Sequence, residues 1–170
     1  MKMKLAPPRS IRAGIPACSP VAGKNRAAKS SFKLKRVLVP IDFSRSSKKA
    51  LHYAISLARD YHAGVVLLHV VKPELATDQF LQGRQAELDK IARQEVRGQV
   101  PVTGVVTVGE LVREIIDLAA SRVIDLLLIS THARAGYPDF FLGSDAERIV
   151  RYAPCPVLVV REQEHDFLGA

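Results

Sequence analysis

Residues 36–44 read RVLVPIDFS, an apolar run of strand length that ends directly in polar residues. Such a run is typical of a strand buried on both faces of a parallel sheet. Serines at 44, 46 and 47 then supply candidate helix N-caps. Apolar residues recur at helical spacing from Ala50 to Ala58, and we expect Gly64 to end that helix. This part of the chain therefore predicts a buried strand followed by an amphipathic helix.

The same alternation continues to the end of the domain. Further strands are predicted at residues 65–71, 100–108, 125–130 and 156–161. Further helices are predicted at about 77–97, after Gly109 and Glu110, and from Ser144, as its N-cap, to about Tyr152. Alternating strands and helices, joined by right-handed crossovers, form a doubly wound parallel sheet covered on both faces. We predict a five-stranded, Rossmann-like α/β fold.

Charge divides the chain into two unequal parts. Residues 1–36 contain ten basic residues and no acid, whereas residues 37–170 contain 15 basic and 17 acidic residues, so that +10 and −2 give the net charge of +8. A folded domain that bound nucleic acid through its own surface would be expected to keep a basic excess. The composition therefore argues against such a domain and assigns the basicity to the N-terminal segment.

The domain boundaries follow from composition. Prolines at 7, 8, 16 and 20 interrupt any period in residues 1–32, which we predict to be a disordered basic tail. Residues 33–163 are predicted to fold, and residues 164–170 to form a flexible end. The tail is interpreted as a solvated extension, with electrostatic contact to nucleic acid or anionic lipid as the alternative.

Cysteine and apolar content indicate the compartment. No apolar run reaches the length of a membrane span, so we expect no membrane helix. Cys18 and Cys155 form neither a disulfide framework nor a CxxC pair, which favours a reducing compartment and a cytoplasmic location. No metal-ligand spacing occurs, and we expect no metal site.

Ligands of doubly wound folds bind at the carboxyl ends of strands, where the strand order reverses. Two places qualify, residues 42–44 after the first strand and residues 130–144 after the fourth. The Asp42 carboxylate could accept hydrogen bonds from a ligand or could cap the next helix. Gly143 and Ser144 could bind an anion at a helix start or could form an ordinary N-cap. The residues alone leave both pairs of alternatives open.

Several motifs resemble the universal stress protein family. They are PIDFS (residues 40–44), LLHV (67–70), STHARAG (130–136), LGSDAER (142–148) and APCPVLVV (153–160). Together they cover about residues 33–162, in the order in which the family carries them. The resemblance implies the strand order 3-2-1-4-5.

The resemblance also implies a nucleotide-binding regulatory protein of the stress response, with ATP, alone or with Mg²⁺, as its ligand. Asp42 would then contact the adenine or ribose, while residues 130–134 with Gly143 and Ser144 would hold the triphosphate. Family members commonly dimerise through the last strand, here Val157 to Val160. The implied ligand-binding residues are Pro40, Asp42, Ser44, Val70, Ser130, His132, Ala133, Arg134, Gly143, Ser144 and Asp145.

The sequence departs from the ATP-binding members of the family at two glycines. Those members carry Gly-x2-Gly-x9-Gly followed by Ser or Thr, and this chain keeps the spacing with Ser130, Ala133 and Gly143-Ser144. The methyl group of Ala133 would crowd a phosphate, and the Asp145 carboxylate would repel one. Both features favour the alternative, an interaction module of the same fold that binds no nucleotide.

Enzymatic function is not indicated. Adenylating enzymes of related folds need a glycine-rich loop after the first strand, and residues 42–46 contain no glycine. His132 has no evident acid or nucleophile beside it, and His69 is interpreted as a hydrogen-bonded group of the core. Cys155 lies between two prolines and is expected to be a partly buried, unreactive thiol. We therefore expect no strong catalysis, with weak ATP hydrolysis left open.

Overall fold

The computed structural model describes residues 33–131 and 143–161. Their strands are β1 (Arg36–Pro40), β2 (Gly64–Val71), β3 (Val102–Val108), β4 (Leu126–Thr131) and β5 (Val157–Arg161). Their α-helices are α1 (Arg45–Tyr61), α2 (Asp78–Ile91), α3 (Leu111–Ser121) and α4 (Ser144–Tyr152). A 3₁₀ turn (Pro73–Leu75) precedes α2, and a π-helical turn (Ala92–Val96) continues it.

The five strands form one parallel sheet in the order β3-β2-β1-β4-β5. The central strand β1 pairs on one side with β2, where Val37 is opposite Val65, and on the other with β4, where Val37 is opposite Leu126. The chain thus runs outward from β1 to β3 and then returns to β4. The strand order reverses between β1 and β4, and the predicted fold is confirmed.

Hydrophobic side chains are buried on both faces of the sheet. On one face, Val37 and Val39 belong to a cluster with Leu51 of α1 and Leu88 of α2. On the other face, a second cluster packs against α3 and α4 and contains Leu38, Leu68, Leu127, Ile115 and Ile149. Successive residues of β1 therefore enter opposite layers, as the period of two in a strand requires. This burial explains why β1 is apolar from Val37 onward.

Two helix ends differ from the sequence-based expectation. Helix α1 ends at Tyr61, because His62 adopts a left-handed backbone (φ 56°) and its N–H bonds the carbonyls of Ala58 and Arg59. Gly64, expected to end that helix, is instead the first residue of β2. The helix predicted over 77–97 divides into α2 and the π-helical turn, and Arg97 ends it in a left-handed conformation.

The segments expected to be a basic tail (1–32) and a flexible end (164–170) lie outside the described residues, and those expectations stay predictions. Within residues 33–131 and 143–161, no helix combines the length and the apolar character needed to cross a membrane.

Candidate functional site

The turn after β1 is built around the Asp42 carboxylate. Asp42 is exposed at the carboxyl edge of the sheet, and its Oδ1 accepts hydrogen bonds from the Ser44 backbone N–H (3.0 Å) and the Ser44 hydroxyl (2.5 Å). Ser44, not Asp42, is the N-cap of α1, since its Oγ accepts from the Ser47 N–H at 3.1 Å. Asp42 therefore supports the cap indirectly and remains at the surface of the edge.

Ser44 is committed to bonds within its own turn. Besides Asp42 and the Ser47 N–H, its hydroxyl lies 3.0 Å from the Oγ of Ser46 and 3.3 Å from that of Ser47, and both of these serines are buried. A hydroxyl with so many partners is held in one orientation. The turn is thus a rigid platform for the Asp42 carboxylate.

An aromatic contact beneath this turn was not foreseen from the sequence. The Phe43 ring lies 4.5 Å from the His69 ring between centroids, and the His69 Nδ1 bonds the Ile41 carbonyl at 2.7 Å. His69 is half-buried and hydrogen-bonded, as predicted. The signal available in the sequence was an aromatic residue directly after the strand-end aspartate.

Other candidate residues lie along the same edge. Pro40 ends β1 opposite Leu68, and Val70 lies two residues farther along β2, half-buried. Ser130 is the second-last residue of β4, which neighbours β1, and it is also half-buried. Since carboxyl ends of parallel strands share one edge, the fold brings the ends of β1, β2 and β4 to the place where strand order reverses.

The second turn of the candidate site begins α4. Gly143 is the N-cap, with φ 74° and ψ 144°, and its carbonyl accepts from the Glu147 N–H at 3.0 Å. Ser144 was expected to be the cap, but it is the first helical residue, because only glycine adopts the Gly143 backbone without strain. The first-turn N–H groups of α4 are the donors that an anion could use at this edge.

Acidic side chains near the α4 start are paired with a cation. The Arg148 Nη1 lies 3.0 Å from the Glu110 Oε1 and 3.8 Å from the Asp145 Oδ1. The Arg113 backbone N–H, which Glu110 accepts as the N-cap of α3, holds the pKa of Glu110 below its ordinary value, and Arg148 lowers that pKa further. Arg148 thus offsets part of the negative charge that Asp145 brings to the helix start.

The remaining candidates, His132, Ala133 and Arg134, lie outside the described residues. The other candidate residues lie in four places. Pro40, Asp42 and Ser44 lie at the turn after β1, Val70 at the end of β2, Ser130 at the end of β4, and the last three at the start of α4. The structure therefore places eight of the eleven candidates at the ends of adjacent strands or the start of α4.

Cys155 lies away from this edge, before β5. It is half-buried against the α3 and α4 cluster, and burial, followed by the nearby Asp125 carboxylate, raises its thiol pKa. A raised pKa disfavours the reactive thiolate, which agrees with the expected unreactive role.

A cavity of about 580 Å³ opens at the opposite, amino edge of the sheet. It is lined by Lys35, Arg36, Thr103 and Arg122 among others, and Arg36 donates to the Arg122 carbonyl. In doubly wound folds the amino edge is not where ligands bind. We therefore assign the candidate site to the carboxyl edge.

Comparison with known proteins supports the predicted fold. The model of the universal stress protein family matches residues 33–161. The chain belongs to that family. A universal stress protein of Methanocaldococcus jannaschii is 28% identical to this universal stress protein over 144 residues, which are 78% of this chain and 85% of the relative.

Two solved structures of universal stress proteins share the fold. One, in complex with cAMP, superposes with a TM-score of 0.63 at 22% identity and covers 76% of this chain and 98% of its own. Another, from Archaeoglobus fulgidus in complex with dAMP, has a TM-score of 0.60 at 19% identity and covers 75% and 98%. The family resemblance and the strand order expected for this universal stress protein are both confirmed.

Proposed function

We propose that this protein binds an adenine nucleotide at the carboxyl edge of its sheet and acts in the stress response through ligand occupancy. The observation that carries the proposal is the backbone of Gly143, which starts α4 in a conformation reserved for glycine. Among the described residues, nothing lies within 4 Å of the position where a side chain would begin. This open position supports close approach of a phosphate to the first-turn N–H groups.

The two turns suit different parts of the nucleotide because they present different chemical groups. Asp42 is an exposed acceptor that suits ribose hydroxyls or an adenine amino group, and Gly143 with Ser144 suits phosphate. The pairing of Asp145 with Arg148 supports phosphate binding beside a carboxylate. The cAMP and dAMP complexes of similar folds support an adenine nucleotide, and we infer that ATP, alone or with Mg²⁺, is the ligand here.

Regulation rather than catalysis is part of the proposal. Asp42 is one candidate acid–base group of the carboxyl edge, and its Oδ1 is engaged by Ser44. We infer that occupancy is read through a homodimer formed by β5, whose Leu158 is 37% exposed at the sheet edge. A cytoplasmic location also belongs to the proposal, because the cysteine usage fits a reducing compartment.

Calorimetric titration of the nucleotide-stripped protein tests this function. We expect micromolar binding of ATP with Mg²⁺ and weaker binding of AMP, because AMP lacks the terminal phosphates. The absence of heat up to about 1 mM ATP, which corresponds to a binding free energy weaker than about −4 kcal/mol, would contradict nucleotide binding.

Substitution of Gly143 tests the site itself. Gly143→Asp should abolish ATP binding, because it places bulk and negative charge where the phosphate would approach. Gly98→Asp is the matched control, since Gly98 is also left-handed (φ 72°) with nothing described within 4 Å, and it lies at the amino edge. Equal ATP affinity in the two variants would remove Gly143 from the site.

An interaction module without a nucleotide is the second candidate function. The observation that favours it is the acidic first turn of α4, where Asp145 and Glu147 both lie. Two carboxylates at a helix start suit the helix dipole but weaken phosphate binding. This function predicts that the titration detects no nucleotide binding at the carboxyl edge. It also predicts that the protein binds a protein partner in place of a nucleotide.

A further inference from the structure

Phe43 has a backbone conformation that its surroundings must maintain. Its φ is 66°, in the left-handed region that residues other than glycine, asparagine and aspartate rarely occupy. The residue lies between Asp42 and Ser44, so the direction of the Asp42 carboxylate depends on this backbone. Beside a candidate ligand site, such a conformation is commonly maintained by contacts of the surrounding structure.

The Phe43 side chain is held by a stack of rings and a guanidinium. The Arg84 Cζ lies 5.3 Å from the centroid of the Phe43 ring and 5.1 Å from that of Phe80. Phe43 in turn contacts His69, whose Nδ1 bonds the Ile41 carbonyl. One series of contacts thus connects α2 to β2 and β1 through the residue next to Asp42. We call Phe80, Arg84, Phe43 and His69 the cation–aromatic stack.

Arg84 remains in the stack despite an unfavourable hydrogen-bonding state. Its Nε is buried and has no hydrogen-bond partner among residues 33–131 and 143–161, while its Nη1 forms an ion pair with the Glu87 Oε2 at 3.0 Å. An arginine on a surface helix can normally place all its donors in water. The contacts with two aromatic rings offset the buried donor, and they fix the guanidinium against Phe43.

We propose that Arg84 is a positioning residue for the ligand site, holding the Asp42–Ser44 turn in its binding geometry through Phe43. This inference rests on the proposed nucleotide function. It assigns to α2 a part in affinity for the nucleoside end of the ligand, while the phosphate end depends on the start of α4. Removing the guanidinium should therefore affect one end of the ligand and not the other.

Titration of Arg84 variants with AMP and with inorganic tripolyphosphate separates these ends. Arg84→Gln should weaken AMP binding about five- to tenfold, the size of one or two lost cation–π contacts, and leave tripolyphosphate binding unchanged. The AMP affinity of Arg84→Lys should lie between those of wild type and Arg84→Gln, because an ammonium keeps the charge but not the planar stacking. Arg93→Gln is the control, since Arg93 is exposed in the adjoining π-helical turn. Unchanged AMP affinity in Arg84→Gln, or an equal loss for both ligands, would overturn the proposal.

A measurement on the ligand-free protein keeps the positioning claim independent of the proposed function. The Phe43 ring should displace the proton resonances of the His69 ring, and in Arg84→Gln those resonances should move toward their free positions, but not in Arg93→Gln. Unchanged His69 resonances in folded Arg84→Gln contradict the positioning role. If wild-type protein binds no ATP, the proposed function fails, while the His69 resonances still decide whether Arg84 holds the turn.

Discussion

Val123 has a backbone conformation that is unfavourable for its residue type. It follows α3 with φ 50°, its N–H bonds the Ala120 carbonyl, and its side chain is 69% exposed. The position after a helix that requires a left-handed backbone is usually glycine, because a β-carbon is crowded there. A β-branched residue with little burial gains nothing that offsets this crowding.

We expect Val123→Gly to raise the free energy of unfolding by about 1 kcal/mol, the strain relieved less the entropy that glycine adds to the unfolded chain. Denaturant unfolding measures the change. Val150→Gly is the matched control, since Val150 is 46% exposed within α4, where glycine should destabilise. A loss of stability in both variants would contradict the expected strain at Val123.

Gly109 leaves room for a neighbouring side chain, and its own dihedral angles do not call for glycine. A β-carbon added there would lie 2.7 Å from the Cδ of Glu114. The Glu114 carboxylate is folded back over the end of β3, where its Oε2 accepts from the Thr107 hydroxyl at 2.6 Å. Gly109 thus leaves the space that this hydrogen bond needs.

We expect Gly109→Ala to lower the free energy of unfolding by about 1 kcal/mol, because the displaced Glu114 loses its bond to Thr107. Gly83→Ala, within α2 and with nothing described within 4 Å, should raise it by about the same amount. In a Glu114→Ala background the cost of Gly109→Ala should disappear. If Gly109→Ala still lowers the free energy of unfolding in that background, the strain does not come from Glu114.

At the scale of elements, Glu110 links two helices at the carboxyl edge. Its Oε2 caps α3 by accepting from the Arg113 N–H at 2.8 Å, and its Oε1 pairs with Arg148 of α4. These contacts favour the ionised carboxyl group and lower its pKa in the folded protein. The stabilisation is therefore present above the ordinary pKa of 4.5 and is lost as pH falls from there through the lowered pKa.

We expect Glu110→Ala to lower the melting temperature at pH 7, with a difference from wild type that shrinks below pH 4.5, the ordinary pKa of the group. Glu110→Gln keeps an acceptor for the cap but cannot ionise, so its stability should lack this pH dependence. Thermal melts between neutral and acidic pH measure both variants. A difference that stays constant with pH would show that the carboxylate charge is not involved.

At the scale of the whole molecule, β5 forms one edge of the sheet among the described strands. It is the last strand in the order β3-β2-β1-β4-β5, and Leu158 on it is 37% exposed while Val160 is buried. An apolar edge strand invites pairing with another chain. The proposed homodimer would cover this edge.

We expect the wild-type protein to be a dimer by light scattering or sedimentation and Leu158→Glu to be a monomer, because two carboxylates would meet across the interface. Val150→Glu is the control, since it adds the same charge at an exposed apolar residue of α4. A wild-type monomer, or a Leu158→Glu dimer, would exclude β5 as the interface.

The sequence by itself determined the layers of this protein and the edge where its candidate site lies. Residues 37–41 and 126–129 are apolar without interruption because their strands are buried on both faces, and that property is local enough to predict the parallel sheet. Asp42 and Gly143 follow from the same reasoning, since Asp42 comes two residues after the end of β1 and Gly143 comes directly before α4.

Only the tertiary structure decided which partners those residues have. The stack of Arg84 on Phe43, the link from Glu110 to Arg148 and the crowding of Gly109 by Glu114 join residues on different elements or across a turn. Such contacts depend on how side chains meet after the elements pack, which no periodicity encodes. The end of α1 at His62 was likewise set by hydrogen bonds of the folded backbone, which override the residue preference that predicted Gly64. The cap of α4 lies at Gly143 and not at Ser144 because the backbone there has a positive φ, which favours glycine.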